Sequence, residues 1–309
     1  MGTQIRDSAT PSRKSRAIVF VAFAAVYLIW GSTYLAIRYA IQTLPPFLMS
    51  GTRFMVAGAI LFGWSMLKGE RTSLSQWRKA LLLGALLLLV GNGGVTWSEK
   101  YVASGLVALL VASEPLWVVL LNWAVTHRRP NIKVLFGVLI GLAGVSLLVG
   151  GQLTTGPFNS AIALIASGVV LLSGLAWASG SVFANRHPIK ASTTMASGMQ
   201  MLAGGSLLFL AGMTTGEVRQ LHLDHASWVS VGAFLYLIVF GSLIAFTAYS
   251  WLLKNVSTAH AATYAYVNPV VAVLLGWLIA SEPLTLRTMV AAAIVIGSVV
   301  LITTYGEEH

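Results

Sequence analysis

The chain has 309 residues, of which 57% are hydrophobic and only 9% are charged. Because a soluble domain carries roughly 25% charged residues, this composition excludes an ordinary water-soluble fold. The absence of cysteine excludes disulfides and thiolate metal sites, while the net charge of +10 raises the alternative of a nucleic-acid-binding protein. The apolar run from Ala17 is too long for a signal-peptide core and predicts a retained first membrane span.

Apolar stretches long enough to cross a bilayer recur along the whole chain. A hydrocarbon core of about 30 Å requires about 20 apolar residues in a helix that pairs its own backbone polar groups. The sequence therefore predicts an all-α membrane protein with ten transmembrane helices. We place them at 17–38, 46–66, 79–98, 104–126, 133–150, 159–183, 193–213, 226–252, 258–280 and 287–304.

Basic residues fall mostly on one side of this arrangement. Fourteen of the 19 Lys and Arg lie in the N-terminal tail (residues 1–16) or in loops on the same side, whereas Arg38, Lys100, Arg219 and Arg287 lie on the opposite side. Because basic residues concentrate in cytoplasmic loops, both termini are predicted to be cytoplasmic. The positive charge thus reflects topology, and no nucleic-acid partner is expected.

The two halves of the chain match each other in a fixed register. At an offset of 147 residues the matched pairs are Trp30/Trp177, Ser32/Ser179, Ser50/Ser197, Gly51/Gly198 and Gly58/Gly205. From the third span onward the offset is 154, and the pairs are Trp97/Trp251, Lys100/Lys254, Ser104/Thr258, Pro115/Pro269, Trp123/Trp277 and Lys133/Arg287. Matched Trp, Pro and basic residues in one register indicate an internal repeat.

Each copy of this repeat, 17–150 and 159–305, contains five predicted spans. Because five is an odd number, the second copy enters the bilayer from the opposite face, which agrees with the opposite predicted sides of Lys100 and Lys254. Inverted repeats are common in secondary transporters, where a mid-membrane cavity between the copies holds the substrate and rocking of the halves alternates access. By this analogy of fold, the sequence predicts a carrier and not an enzyme.

Several motifs resemble those of a known transporter family. They are Ile29-Trp30-Gly31-Ser32-Thr33-Tyr34, Pro45-Pro46 and Arg53-Phe54 in the first half, and Ala176-Trp177-Ala178-Ser179-Gly180-Ser181 and the run Tyr264 to Val270 in the second. Together they resemble the EamA-like family of the drug/metabolite transporter superfamily, and within it the YedA-type exporters, over roughly residues 17–305. The resemblance implies a multi-pass carrier of the bacterial inner membrane that exports small metabolites, amino acids or drugs.

Glu114 is the acidic residue that the predicted spans place deep in the membrane. If the fourth span starts near Ser104, ten residues at about 1.5 Å each put Glu114 about 15 Å inside. A carboxylate at that depth is functional by default, and it is predicted to bind an amine-bearing substrate or a coupling proton. The alternative is a structural hydrogen bond or ion pair beside Pro115.

Arg53 and Asn268 are further polar candidates inside the predicted spans. Arg53 lies roughly 10 Å deep and is predicted to pair with Glu114 or to meet a substrate carboxylate; the alternative is that its side chain reaches back to the outer surface. Asn268 is the repeat match of Glu114, and each precedes a proline that frees a backbone carbonyl four residues earlier. Both X-Pro steps are predicted to line the cavity or simply to kink their helices.

Aromatic and polar residues at the same predicted depth complete the expected substrate-binding site. They are Trp30, Thr33, Tyr34, Asn92, Trp97, Trp177, Ser181, Gln200, Tyr264 and Tyr266. Such side chains suit planar or apolar metabolites with one polar end, although Trp and Tyr also concentrate at membrane interfaces. The spacing of Gly137, Gly141 and Gly144 predicts close helix packing in the fifth span.

The sequence contains no nucleotide-binding loop, so the predicted carrier is driven by a gradient. No cofactor and no metal site is expected, and the predicted partners are a small-molecule substrate and the lipid bilayer, with the chain a monomer or a weak homodimer. Three alternatives stay open: a channel-like facilitator without ion coupling, a membrane-embedded enzyme that acts on lipid, and a partner subunit that does not itself transport.

Overall fold

A computed structural model of the protein describes residues 13–127, 129–155, 160–256, 258–261 and 263–306. Most of the predicted N-terminal tail, residues 1–12, lies outside this range. The described chain is helical almost throughout and contains no β-strand. The predicted all-α class is therefore confirmed.

Ten long helical segments follow one another within the described residues. They are α1 (Ala17–Ala40), α2 (Pro46–Leu67), α3 (Leu74–Ser98), α4 (Ser104–Thr126), α5 (Ile132–Thr155), α6 (Ser160–Arg186), α7 (Thr193–Thr214), α8 (Trp228–Asn255), α9 (Tyr264–Ala280) and α10 (Leu286–Gly306). Seven of them, α1 to α4 and α6 to α8, are long and apolar enough to cross a membrane, and the other three contain shorter apolar stretches. These helices make the chain a multi-pass membrane protein.

The start of α3 differs from the predicted boundary for a local reason. The sequence predicts a span from residue 79, but α3 begins at Leu74. Ser73 and Gln76 form a capping box, in which the Gln76 amide donates to the Ser73 hydroxyl at 3.4 Å and the Ser73 amide donates to the Gln76 side chain at 2.7 Å. Because these bonds satisfy amides that a helix start leaves unpaired, the helix extends into the loop.

The fourth and ninth helices depart from the predicted continuous spans. α4 consists of two helices, Ser104–Val111 and Glu114–Thr126, separated by a turn. Pro115 follows this turn and has no N–H with which to continue the backbone ladder. A separate short helix, Thr258–Ala261, precedes α9 where the sequence predicts one span over 258–280.

Helices α2 and α7 cross with their backbones in direct contact at glycines. A Cβ atom on Gly51 would lie 2.6 Å from the backbone nitrogen of Phe209 and 2.9 Å from the carbonyl oxygen of Gly205. A Cβ atom on Gly58 would lie 3.0 Å from the carbonyl oxygen of Gly198. The partner's number falls as the residue number rises, so the two helices run antiparallel at a distance that favours glycine.

Helices α5 and α10 form a second antiparallel pair. A Cβ atom on Gly141 would lie 2.7 Å from Ser298 Oγ, and one on Gly144 would lie 2.8 Å from Val295 Cγ2. The small-residue spacing that includes Gly137 thus corresponds to close packing within the molecule, as the sequence predicts.

Carboxylates from the second half of the chain cap helices of the first half. Glu217, in the loop after α7, accepts a hydrogen bond from the Leu48 amide at 2.9 Å, and Glu282, after α9, accepts one from the Ser104 amide at 2.9 Å. The positive end of the helix dipole makes a carboxylate favourable at these N-termini. Both caps lie at the end of the molecule that carries Arg38, which we call the Arg38 end; the opposite end is the Lys254 end.

Replacing Gly51 by Ala would place a methyl group against the backbone of α7. We expect this overpacking to destabilise the protein by about 1–3 kcal/mol. Gly63→Ala in the same helix is the matched control, since a Cβ atom there meets nothing within 4 Å and alanine favours the helix. Melting temperatures of the detergent-purified variants check this, and equal values would show that the α2–α7 contact accommodates a methyl group.

Candidate functional site

A cavity that encloses about 670 Å³, including its opening, lies between the two halves of the chain. Helices α1 to α4 line it from the first half, and α6, α8 and α9 from the second. The lining residues are Trp30, Thr33, Tyr34, Ile37, Arg53, Phe54, Gly91, Asn92, Val95, Val111, Ser173, Gly174, Trp177, Gly241, Phe246 and Tyr264.

Three of the lining helices widen where they meet the cavity. The backbone forms π-helical turns at Val26–Trp30 in α1, Gly84–Asn92 in α3 and Leu237–Phe246 in α8. Each of these segments contributes at least one lining residue. A π-helical turn shifts the direction of the side chains that follow it and recurs at functional sites.

An aromatic cluster forms one wall of the cavity. The Trp30 ring lies 5.5 Å from Trp177, 4.9 Å from Tyr249 and 5.4 Å from Tyr264, measured between ring centroids. The Trp30 indole N–H donates to the Gly241 carbonyl at 3.3 Å, and the Trp177 indole N–H donates to the Tyr249 hydroxyl at 3.3 Å. The edge-on packing of Trp30 against Trp177 and Tyr264, together with the satisfied indole N–H groups, fixes this wall.

Glu114 lies directly behind the aromatic wall. It is 1% exposed, begins the second part of α4, and accepts a hydrogen bond from the Tyr264 hydroxyl. Tyr264 lines the cavity and Glu114 does not, so the carboxyl group is one hydrogen bond away from it. The alternative of a structural hydrogen bond beside Pro115 therefore describes the observed contact, and this contact also links Glu114 to the cavity.

Arg53 borders the cavity with its side chain held inside the protein. It is 3% exposed, its Nη2 donates to Asn92 Oδ1 at 3.0 Å, and its guanidinium carbon lies 4.3 Å from the centroid of the Phe54 ring. No ion pair joins Arg53 to Glu114, although both belong to the described residues. The side chain therefore neither reaches the surface nor pairs with Glu114 in this conformation.

The other predicted residues divide between the cavity and its surroundings. Besides Arg53, the cavity is lined by six of them, namely Trp30, Thr33, Tyr34, Asn92, Trp177 and Tyr264. Ser181 shares a hydrogen bond of 2.8 Å with the Tyr249 hydroxyl, behind the wall. Asn268 is buried outside the lining, and its Oδ1 has no partner among the described residues. Trp97 packs against Tyr101, and the side chain of Tyr266 lies outside the described part of the chain.

Gln200 borders a second cavity of about 400 Å³ near the Lys254 end. Tyr249, Ser250 and Lys254 also line it. Tyr249 thus contributes to both regions through its hydroxyl and its ring, and the sequence interpretation missed it. Its repeat match is Val95, so the repeat pattern carries no aromatic signal at this position.

Glu99 is a second buried acid that the sequence interpretation missed, because the predicted third span ends at residue 98. It is 1% exposed, and burial, followed by the nearby Glu282 carboxylate, raises its pKa well above the usual range. Arg38 donates to the Glu99 carbonyl at 3.1 Å and pairs with Glu282 at 3.5 Å. The signal in the sequence is the spacing Asn92, Thr96, Glu99, which puts three polar side chains on one helical face.

Comparison with known proteins identifies the family. The model of the EamA-like transporter family matches residues 16–150 and again residues 164–304. The chain belongs to this family. It is 39% identical to the inner membrane transporter YedA of Escherichia coli (strain K12), over 92% of its own length and 90% of the relative's. The resemblance that the motifs indicate is therefore confirmed, and the protein is a membrane transporter of the EamA-like type.

More distant matches also extend over nearly the whole chain. The chain is 23% identical to the transporter YoaV of Bacillus subtilis (strain 168), over 90% of its own length and 94% of the relative's. A crystal structure of a protein with 20% sequence identity superposes with a TM-score of 0.64, over 94% of this chain and 97% of that chain. At this identity, the superposition supports the fold alone.

Tyr264→Phe removes the hydroxyl that donates to Glu114 and leaves a buried carboxyl group without this partner. We expect a loss of about 1–3 kcal/mol of stability. Tyr101→Phe is the control, because the Tyr101 ring packs against Trp97 at 5.0 Å outside the cavity. The melting temperatures of both detergent-purified variants test this, and a Tyr264→Phe protein as stable as wild type would contradict a structural role for the bond.

Proposed function

We propose that the protein is a secondary-type carrier that exports small organic solutes by alternating access. The observation that carries this proposal is the cavity with an aromatic wall, lined by both halves of a chain whose family consists of transporters. Carriers with repeated halves hold their substrate at such a junction. The cavity lies within one chain, so a monomer, or a weakly associated homodimer, can complete the transport cycle.

Contacts between matched helices support an inverted repeat of two five-helix units. On α2 and α7, Gly51 faces Gly205, the match of Gly58, while Gly58 faces Gly198, the match of Gly51. Reciprocal contacts of this kind are what a twofold axis produces. The α5–α10 contacts are reciprocal in the same way, at the offset of 154 residues.

The second cavity supports alternating access, because four of its lining residues are repeat matches of residues that line the first. The pairs are Ile37/Ala184, Arg53/Gln200, Val95/Tyr249 and Gly241/Leu87. Equivalent positions thus border a larger cavity and a smaller one, each lined by residues of both halves. If the halves exchange these two shapes, the pathway opens towards the opposite end of the molecule.

We place the carrier in the bacterial inner membrane with both termini in the cytoplasm. The distribution of basic residues supports this orientation, and the relative YedA is an inner membrane transporter. The Arg38 end is then the outer end, and the Lys254 end, with the second cavity, faces the cytoplasm.

Glu114 is the candidate for the coupling proton. Its carboxyl group lies one hydrogen bond behind the cavity, through Tyr264, which also contacts the Trp30 ring. A substrate that displaces these rings would change the surroundings of Glu114 and thus its affinity for a proton. Movement of a proton down its gradient can drive export by this linkage.

The chain contains no cysteine, so single cysteines can report the orientation of its loops. We expect Lys100→Cys to react with a membrane-impermeant maleimide in intact cells, and Lys254→Cys to react only after permeabilisation. Both positions are exposed, and the cysteine-free parent is the control for background labelling. Labelling of both positions from the same face would refute the inverted repeat.

Glu114→Gln keeps the size of the side chain and removes its proton exchange. We expect transport to be abolished or strongly reduced while the amount of protein in the membrane stays normal. A suitable solute is first selected by thermal-shift screening. Its exchange is then measured in proteoliposomes at several pH values with a labelled form of the solute. Glu70→Gln, in the loop after α2, is the control. Undiminished exchange at every pH would reject a coupling role, and flux without counterflow would favour a channel-like facilitator.

A further inference from the structure

The charge of Arg53 is only partly satisfied within the protein. Nη2 donates to Asn92 Oδ1, whereas Nε and Nη1 are buried and have no hydrogen-bond partner among the described residues. No described carboxylate lies within 4 Å of the guanidinium group. A buried arginine with no anion in direct contact is costly, so its position at the edge of a cavity points to a partner that arrives from outside the chain.

Glu99 does not take the place of that partner. Its two carboxylate oxygens are buried and, like the two nitrogens of Arg53, have no hydrogen-bond partner among the described residues. Burial, followed by the neighbouring Glu282, raises the pKa of Glu99 and disfavours its charged form, while Arg38 and Arg53 oppose this rise from a distance. The two buried groups therefore lie in the same region without forming an ion pair.

The remaining walls of the cavity favour an anion over a cation. Among the described residues that line it, Arg53 is the one charged side chain. Glu114 lies outside the lining and is hydrogen-bonded to Tyr264. A bound amine would meet no opposite charge on the wall, whereas a bound carboxylate would meet Arg53.

The position of Arg53 is held by a short polar network. Asn92 Oδ1 accepts from Arg53 and also from the Thr96 hydroxyl, at 3.4 Å, and Thr96 accepts from the Ser50 hydroxyl at 3.2 Å. The Phe54 ring supports the guanidinium group from one side. This network orients the arginine without neutralising it.

We propose that the cavity selects solutes that join a carboxylate, or a similar oxyanion, to an aromatic or otherwise apolar body. The oxyanion binds Arg53 and supplies the acceptors that the guanidinium group lacks, because arginine matches planar oxyanions in charge and donor geometry. The body packs against Trp30 and Trp177, whose rings bury apolar surface well. This inference rests on the proposed carrier function and names the chemical class of its cargo.

Three probes of nearly equal shape isolate the effect of charge: 3-phenylpropionate (anion), 3-phenylpropanamide (neutral) and 3-phenylpropylamine (cation). Affinities follow from the ligand-induced rise in melting temperature of the detergent-purified protein at neutral pH. We expect the wild-type protein to bind the anion about tenfold more tightly than the amide, the size of one charge-assisted contact, and the amine most weakly.

Variants of the polar network test whether this preference comes from Arg53. Arg53→Gln should bind the anion and the amide about equally, and Arg53→Lys should keep part of the preference. Asn92→Asp leaves the arginine in place but puts a carboxylate where Nη2 now has an acceptor at 3.0 Å, so it should also abolish the preference. Arg219→Gln is the control: this residue is exposed in the loop after α7, near the Arg38 end, and the variant should behave as wild type.

The outcomes separate this inference from the proposed function. If wild type prefers the amine or binds the amide as tightly as the anion, the anion site is wrong, whether or not the variants fold. An unchanged preference in Asn92→Asp and Arg53→Gln would also overturn it. If the anion preference holds but proteoliposomes fail to exchange labelled 3-phenylpropionate or any other bound solute, the carrier function fails and the binding site stands.

Discussion

Direct backbone contact between α2 and α7 is the interaction on which the arrangement of the other helices depends. Lipid provides no hydrophobic drive for helices to associate, so they must gain stability through close van der Waals contact. Glycines at the crossing remove the Cβ atoms that would hold the backbones apart, and α5 and α10 repeat the device. None of the described residues of α5, α7 or α10 lines the larger cavity. The tight pairs thus form a frame, and α2, which lines the cavity with Arg53 and Phe54, joins this frame to the helices that enclose the site.

The buried ionisable groups around this site differ in how many hydrogen-bond partners they have. Glu114 has a hydrogen bond from Tyr264, Arg53 has one from its Nη2 to Asn92, and the Glu99 carboxylate has none among the described residues. Removing a charge from water without a partner is costly, so these three positions bear a cost that folding alone does not explain. The proposed transport cycle offers a reason, because a solute, a proton or a helix movement could satisfy each group in turn.

The two halves of the chain agree in scaffold and differ in chemistry. Glycines and tryptophans match across the repeat, whereas Arg53 corresponds to Gln200, Glu114 to Asn268 and Tyr249 to Val95. The matched residues set helix packing, which both halves need equally. The unmatched ones place the Arg53 guanidinium group and the Glu114 carboxyl group near one cavity. The packing residues are therefore shared by both halves, while these polar groups are present once.

The sequence by itself determined the helical class, the membrane location and the family, because apolar length, charge distribution and short motifs are properties of the linear chain. It also predicted an approximate depth for residues such as Glu114, since a helix rises by a constant amount per residue. Only the tertiary structure decided which residues at one depth share a cavity. That depends on how each helix is rotated by its packing and by π-helical turns, so Trp30 and Trp177 meet, Gln200 borders a different cavity, and Trp97 turns to Tyr101.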